Sequence, residues 1–574
     1  MQLNRQYRGA YVGAALTTLW RRVSGFMIVL CLCSSFSARP LYSMPADEKE
    51  YFGIIKSIDL LGEVYRQLSL NYVDKPDVRE LMYAGIDGML HTLDPYTVFL
   101  DKSDSQELDE LTSGQYAGIG VTIASIDGSI YIASVVEGYG ASRAGVRMGD
   151  IIAAVNGTGI KNKPLNEVKE LLKGPLGATL TLGIERESEP FFTVSIKREE
   201  IRVNTVSHSC FFGDTGYIEM KSFGARSADE LREALQDLQR QAAAKHIPLR
   251  GVILDLRNNP GGLLNASVDV ASLFVRKGSN VVSIRGRVHE PKVYVTVTDP
   301  VHETVPLVVL INSQSASAAE IVAGAIQDLD RGVIIGERSF GKGRVQSVLN
   351  LSYDNTLKLT TAKYYTPSGR LIQKEAPPEP EQRNVLPEVQ EDKRSTPFFT
   401  KGRRKVYGGG GIKPDIEISD RKDSPYLMEL RNKGMLFLFS SNYRSRTPLK
   451  PVQPIERKGL MRSFNDFLQS RKFTYTSQAE RQLDELKAAL KGEDAVNAIN
   501  PVKIPDELLK GVALLKAQEI AKESEAVAEA LELEILRHYD KPLARTGELS
   551  HDPVVKRALE VLADSRQYSR TLHP

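Results

Sequence analysis

Ser315-Ala316-Ser317-Ala318-Ala319-Glu320 decides how this chain is read. An apolar run, Val305 to Ile311, precedes it, and an alanine-rich run, Ala318 to Gln327, follows. That order predicts a strand, a tight turn and a helix, with a serine at the helix start. Further along, Phe340-Gly-Lys-Gly343 sets a lone lysine between two glycines, where the backbone can bend sharply. A serine on such a turn is open for attack, and a helix N-terminus favours negative charge beside it. A buried, neutral lysine can take the serine proton, so this chemistry needs no histidine.

Strands and helices alternate on both sides of this stretch. Gly216 to Met220, Gly251 to Arg257, Val305 to Ile311 and Val333 to Ile335 read as strands. Between them, Ser227 to Ala244, Leu263 to Val275 and Ala318 to Asp328 read as helices, and Leu357 to Tyr365 closes the unit as a strand. The alternation argues α/β layers around a central sheet over residues 195–373. Ahead of it, residues 104–188 show short β runs with glycine punctuation: Gly118-Ile119-Gly120-Val121, Asp127-Gly128, and Asp150 to Gly157. Residues 48–103 read as helical, with Ile54, Ile58, Leu61 and Val64 at helical spacing and Leu93-Asp-Pro-Tyr-Thr97 ending the pattern. Residues 374–410 are rich in proline and charge and read as a linker or exposed loop. Gly408 to Gly411 reads as a flexible hinge, since no Lys-Ser/Thr follows as in a phosphate loop. Residues 411–574 complete the core and continue as mostly helix, clearest from Asp506 to His538.

The chain has 574 residues, which favours several domains over one core. Its 75 basic and 72 acidic residues nearly balance, at a net charge of +3, so nucleic acid is not the expected partner. Arg21 and Arg22 precede a short apolar run, Phe26 to Cys33, and small residues follow to Ala38. Residues 1–38 therefore read as a secretory signal, which implies an exported, periplasmic protein. Membrane association is expected only if this segment stays uncleaved. Cleavage near Ala38 would leave Cys210 alone, so no internal disulfide is expected. The eight histidines are scattered; His208 and His289 flank strands and read as ordinary hydrogen-bonding residues. There is no clustered Cys/His pattern for a metal, and no cofactor is expected.

Gly118 to Val121, Ala141-Ser-Arg-Ala-Gly-Val146 and Gly149-Asp-Ile-Ile152 together resemble a PDZ domain. In such a domain, backbone N–H groups cradle a peptide's terminal carboxylate while the peptide adds as a strand to the sheet edge. Leu254-Asp-Leu-Arg-Asn-Asn-Pro-Gly-Gly262, the Ser315–Glu320 stretch, Phe340 to Gly343 with Val345-Gln346, and Tyr364-Tyr-Thr-Pro-Ser-Gly369 resemble the carboxyl-terminal processing, or tail-specific, proteases. The resemblance runs over about residues 48 to 420, with a shorter echo at 552 to 562.

It implies a multidomain α/β protein. A PDZ domain would sit between an N-terminal helical segment and a crotonase/ClpP-like α/β protease core, with a mainly helical C-terminal region. It implies a serine endopeptidase that takes protein C-terminal tails on its PDZ domain. The family's nucleophile is the second serine of the Ser-Ala-Ser-Ala pattern, with its lysine 25 residues on (342 − 317), which selects Ser317 and Lys342. Gln346 matches a third member in some relatives. A straight strand would set it roughly 13 Å from Lys342 at about 3.3 Å per residue, so contact needs a bend at Gly343. Ala318 and, by family analogy, Gly262 are the expected oxyanion donors, with Gly261 next to it. Glu320 and Asp328 match acidic positions and read as structural hydrogen-bond partners. Lys173 matches a basic position on the PDZ helix that in relatives couples the domain to activity, though relatives often have arginine there, a planar donor that lysine lacks. The partners implied are proteins with exposed C-terminal tails, and beyond them an adaptor or a second copy of the chain. The competing readings are an inactive PDZ scaffold for protein C-termini and crotonase-like acyl chemistry on the same core.

Overall fold

The computed structural model describes residues 48–288, 290–374, 397–451, 455–489 and 505–573. The segment read as a secretory signal, His289 and most of the 374–410 stretch lie outside them. The chain divides at Thr92 into two units. The first carries α1 (Glu48–Asn71) and α2 (Val78–His91). The sequence pattern runs as one helix through this region, but Pro76 disfavours helix at the residue before it, and Asp77 restarts the chain by capping the N–H groups of Arg79 and Glu80. Ile54, Ile58, Leu61 and Val64 remain exposed.

The second unit starts at Leu93. It opens with β1 (Val98–Leu100), which had been expected as the end of the helical segment and instead pairs with a core strand far along the chain. Next come α3 (Lys102–Ser113), β2 (Gln115–Gly118), β3 (Val121–Ile126), β4 (Ser129–Val135), α4 (Gly140–Arg143), β5 (Ile151–Val155), β6 (Thr158–Gly159), α5 (Leu165–Leu172), β7 (Thr179–Glu185), β8 (Phe192–Lys197) and β9 (Glu199–Arg202). Their main sheet has the order β3-β4-β5-β7-β8, so β3 is an edge strand. Its own core of aliphatic residues, among them Ile132, Val168, Leu180 and Leu182, makes this a separate hydrophobic body.

The α/β layer comprises β10 (Val206–Phe212), β11 (Thr215–Met220), α6 (Ser227–Ala244), β12 (Gly251–Asp255), α7 (Leu264–Ser272), β13 (Asn280–Gly286), β14 (Lys292–Val295), β15 (Leu307–Ile311), α8 (Ala318–Asp328), β16 (Val333–Gly336), β17 (Arg344–Asn350), β18 (Thr356–Tyr365), β19 (Phe398–Phe399), β20 (Lys405–Val406) and β21 (Ile416–Glu417). One sheet runs β10-β11-β12-β15-β16-β21, parallel from β11 to β21. Its inner strands are buried along their whole length, as expected of parallel strands covered on both faces. Leu231 and Leu235 of α6, Val270 of α7 and Val322 of α8 cover one face.

The other face belongs to the end of the chain. The C-terminal helices are α9 (Pro425–Asn432), α10 (Met435–Arg446), α11 (Arg457–Ser470), α12 (Gln478–Ala489), α13 (Asp506–Lys522), α14 (Ser524–Arg537), α15 (Lys541–His551), α16 (Pro553–Ala563) and α17 (Ser565–Leu572). Leu549, Val554, Val555, Ala558 and Leu572 pack on Tyr217, Ile253, Val308, Leu310 and Ile335 of the sheet. The helix expected from Asp506 to His538 is two helices, separated at Glu523. Helices α9 to α11 and α14 share a further core that also takes in Tyr131 of β4, whose ring meets Phe437 edge-on at 6.1 Å. This helical body therefore touches both the β3–β8 domain and, through α15 to α17, the β10–β21 sheet. No described helix is long and apolar enough to cross a membrane.

Candidate active site

Strand β15 delivers the chain to a turn stapled from inside. The Ser315 hydroxyl donates to the Leu256 carbonyl at 2.8 Å and accepts from the Asn312 N–H at 2.9 Å. Ser315 is fully buried and its side chain is spent on the turn. Ser317 follows with φ 53° and ψ −114°, a conformation that L-residues rarely adopt, immediately before α8. The strain points to a functional turn, since a plain helix cap does not need it.

Glu320 ties this turn to the lysine loop. It is fully buried, and its carboxylate accepts from the N–H groups of Ser317 (2.8 Å), Gly341 (2.8 Å) and Lys342 (2.9 Å) and from the Ser339 hydroxyl (2.5 Å). Burial pushes its pKa up to about 7, against the pull of these donors. Tyr364 of β18 makes a second tie. Its hydroxyl donates to the Lys342 carbonyl at 2.6 Å and lies 3.2 Å from the Ser317 carbonyl. The backbones on either side of the two residues, 25 positions apart (342 − 317), are thus held together twice. The motif containing Tyr364 was visible in the sequence; its bridging role was not.

Lys342 is half-buried, and loss of water pushes its pKa down to about 8, helped by Lys358 and opposed by Glu320 and Asp94. Its ammonium lies 4.8 Å from the centroid of the Tyr96 ring. Among the described residues no hydrogen bond joins Lys342 Nζ to Ser317 Oγ. Gln346 does not reach Lys342 either. A bulge between Val345 and Gln346 turns β17, and Gln346 donates to Thr360 Oγ1 at 3.3 Å and to the Arg344 carbonyl at 3.4 Å. A Cβ on Gly343 would come within 2.8 Å of the Gln373 nitrogen, so this glycine lets the lysine loop pass Gln373 closely and does not bring Gln346 to the amine.

The Asn259–Gly262 turn lies against the serine. A Cβ on Gly261 would sit 2.8 Å from Ser317 Cβ and 2.9 Å from the Ala318 nitrogen. The Gly261 N–H is spent on Asn259 Oδ1 at 2.9 Å. The N–H groups of Gly262 and Ala318 have no acceptor among the described residues. Gly262 has φ 147°, and a Cβ there would lie 2.1 Å from the Phe223 carbonyl oxygen. Gly262→Ala is expected to cost about 1–3 kcal/mol of stability through backbone strain and, by displacing this N–H, about 10²–10³-fold in kcat. Thermal unfolding and peptide cleavage would measure the two separately.

The Gly408–Gly411 stretch is not a hinge. The N–H groups of Gly409 and Gly411 donate to the carbonyls of Leu371 and Ile372, and a Cβ on Gly411 would strike Ser339 O at 2.4 Å. The glycines let this strand of chain lie against the lysine loop. Asp328 pairs with the buried Arg370 at 2.7 Å and supports the turn after β18. His208 lies within β10 rather than beside it and faces Thr546 Oγ1 at 3.0 Å.

In the β3–β8 domain, the Gly118–Val121 stretch links β2 to β3. The carbonyls of Ile119 and Gly120 accept from Ala141 and Val136, whereas the Ile119 and Gly120 N–H groups have no acceptor among the described residues. Gly120 has φ 81° and packs against Tyr139. The open edge of β3 lies next to α5. An open strand edge beside a helix, with two N–H groups left without an acceptor at its end, is the geometry that strand addition by a peptide requires. Lys173 does not line this groove's donor loop. It caps the end of α5, and its ammonium pairs with Glu110 of α3 at 2.9 Å.

The family model for peptidase family S41 matches residues 214–382, that for the PDZ domain residues 109–185, and that for the C-terminal helical domain of probable PDZ-proteases residues 426–562. A carboxy-terminal-processing protease of Bartonella bacilliformis is 37% identical over 320 residues, covering 55% of this chain and 73% of that protein. A carboxy-terminal processing protease of Bacillus subtilis is 32% identical over 410 residues, covering 70% of this chain and 84% of that protein. The chain belongs to the carboxy-terminal processing proteases of peptidase family S41. A solved PDZ domain of a carboxy-terminal protease from Vibrio cholerae, in complex with peptide, is 29% identical, covers 16% of this chain and 99% of its own, and has a TM-score of 0.15. As a member of this family the chain is a serine-type peptidase with a PDZ domain, an α/β protease core and a helical C-terminal region, and the scaffold reading falls away.

Proposed function

We propose that Ser317 and Lys342 form the catalytic dyad, and that the PDZ domain presents the exposed C-terminal tail of a protein substrate to them. The shared anchoring of the two backbones on Glu320 and Tyr364 carries this reading. Lys342 as the neutral amine takes the Ser317 proton while Oγ bonds to the scissile carbonyl carbon. The oxyanion then accepts from the N–H groups of Gly262 and Ala318. The C–N bond breaks, Lys342 returns the proton to the leaving amine, and water activated by Lys342 hydrolyses the acyl-enzyme. The amine must first swing from Tyr96 towards Ser317, and Gln346 would orient it only after leaving Thr360.

The pH profile tests the base. Only the neutral amine accepts a proton, and its fraction falls as pH drops below its pKa. With Lys342 at about 8, kcat/KM is expected to climb with pH and level off above about 8. A profile flat from about pH 6 to about 9 would rule Lys342 out. Tail recognition is tested with unfolded proteins differing only in their last few residues. Cleavage indifferent to those residues would end that part of the reading.

The N-terminal Arg21–Ala38 pattern supports export, with membrane association only where that segment is kept. Sequencing the N-terminus of the protein recovered from an exported fraction would decide it. An adaptor or a second copy of the chain remains a proposal for the exposed helices, and mass measurement in solution tests the second.

A further inference from the structure

We propose that Tyr96 is a positioning residue that holds the Lys342 side chain in its charged form, away from Ser317, until substrate draws it across. This rests on Lys342 serving as the base. The loop that carries Tyr96 is fastened to β17 and β18, the strands that follow the lysine. Asp94 accepts from the N–H groups of Tyr96 at 2.8 Å and Thr97 at 3.0 Å. It also pairs with Arg344 of β17 at 2.9 Å and accepts from Thr360 Oγ1 of β18 at 3.3 Å. The Thr360 N–H donates to Thr97 Oγ1 at 3.2 Å. Thr360 is also the residue that engages Gln346. One fastening thus fixes the ring under the ammonium and occupies the amide that would otherwise be free to orient it.

The ring's negative face attracts an ammonium and has no comparable attraction for a neutral amine, so Tyr96 favours the form that cannot act as a base. Other groups act on the same amine. Glu320 at the start of α8 and Asp94 favour its charge, and Lys358 of β18 opposes it. Arg344 of β17 is paired with Asp94, and the Tyr364 hydroxyl is engaged by the Lys342 carbonyl. Tyr96 is distinct among them in acting through contact with Nζ without supplying a charge.

The test follows the amine directly. In full-length Ser317→Ala protein with ¹³C-labelled lysine, the Lys342 signal, assigned with Lys342→Arg, is titrated against pH. Tyr96→Leu and Tyr96→Met are expected to lower its midpoint by about 0.4–1.5 pH units, the span of a cation–π contact. Tyr96→Phe, which keeps the ring face, is expected to retain the original midpoint. With Ser317 restored, the acid limb of kcat/KM should move down by the same amount. A midpoint that stays or rises in both aliphatic variants overturns the role given to Tyr96. A midpoint that falls while the acid limb stays supports the Tyr96 contact and overturns Lys342 as the base.

Discussion

Ser317→Ala is expected to lower kcat/KM by about 10⁴–10⁶-fold while tail peptides bind with unchanged affinity. Without Oγ no acyl-enzyme forms, and what activity is left comes from substrate positioning and the oxyanion donors. The substitution is small and keeps the backbone groups that hold the site, namely the N–H to Glu320 and the carbonyl beside Tyr364. Lys342→Ala should cost about as much, and the double variant little more, because residues that act as a unit lose their effect together. Lys342→Arg is not expected to rescue, since a guanidinium stays charged and cannot take a proton. Steady-state cleavage and fluorescence anisotropy of a labelled tail peptide give the two readouts. Cleavage by Ser317→Ala at more than about one hundredth of the parent rate would remove Ser317 as nucleophile, being far above the residue left by other nucleophile deletions.

Arg257→Met is expected to destabilise the protein by about 3–5 kcal/mol. Arg257 is buried at the end of β12 and makes paired hydrogen bonds to Asp255 at 2.7–3.1 Å. It also reaches Asp420 at 2.7 Å and Asp552 at 2.8 Å. Methionine fills part of the volume but leaves Asp255, itself 1% exposed, as a buried carboxylate without its cation. Asp255 would keep only the Tyr217 hydroxyl at 2.6 Å and the residue 257 N–H at 2.9 Å. Arg257→Lys should recover part of the loss, since an ammonium restores the charge without the planar fork. The same arginine joins three parts of the chain. Asp552 caps α16, whose residues cover the catalytic sheet, and Asp420 also accepts from Asn312 at the start of the serine turn. Loss of stability should therefore be accompanied by loss of turnover. Denaturant unfolding measures the first, and a midpoint within about 0.5 kcal/mol of the parent would show the cluster to be dispensable, as most surface substitutions are.

Much of this architecture was legible because the relevant signals are local. Leu307 to Ile311, the part of the apolar run that follows Pro306, is unbroken, as a strand covered on both faces must be, and it is β15. Gly118 to Val121 carries two glycines at a turn between strands, and Gly120 has the positive φ. The misreadings share a cause. Val98 to Leu100 became a strand because Thr356 to Lys358 offered a partner, which no nearby residue reveals. Gly408 to Gly411 reads as loose in isolation, yet Gly408 lies against the Leu371 carbonyl and Gly411 against Ser339, where a Cβ would collide. Gln346 is expected beside Lys342 only by resemblance to some relatives, but the bulge in β17 and the hydroxyl of Thr360 hold it elsewhere.

The sequence by itself determined the periodic elements, the serine turn, the glycine-flanked lysine and the glycine turn before β3, because backbone preference and hydrophobic period act over a few residues. Only the tertiary structure decided which groups surround the lysine amine. Burial, the Tyr96 ring, Glu320, Asp94 and Lys358 reach it from separate segments of the chain. A side chain's proton affinity depends on everything within a few ångströms, and the order of residues along a chain does not record that distance.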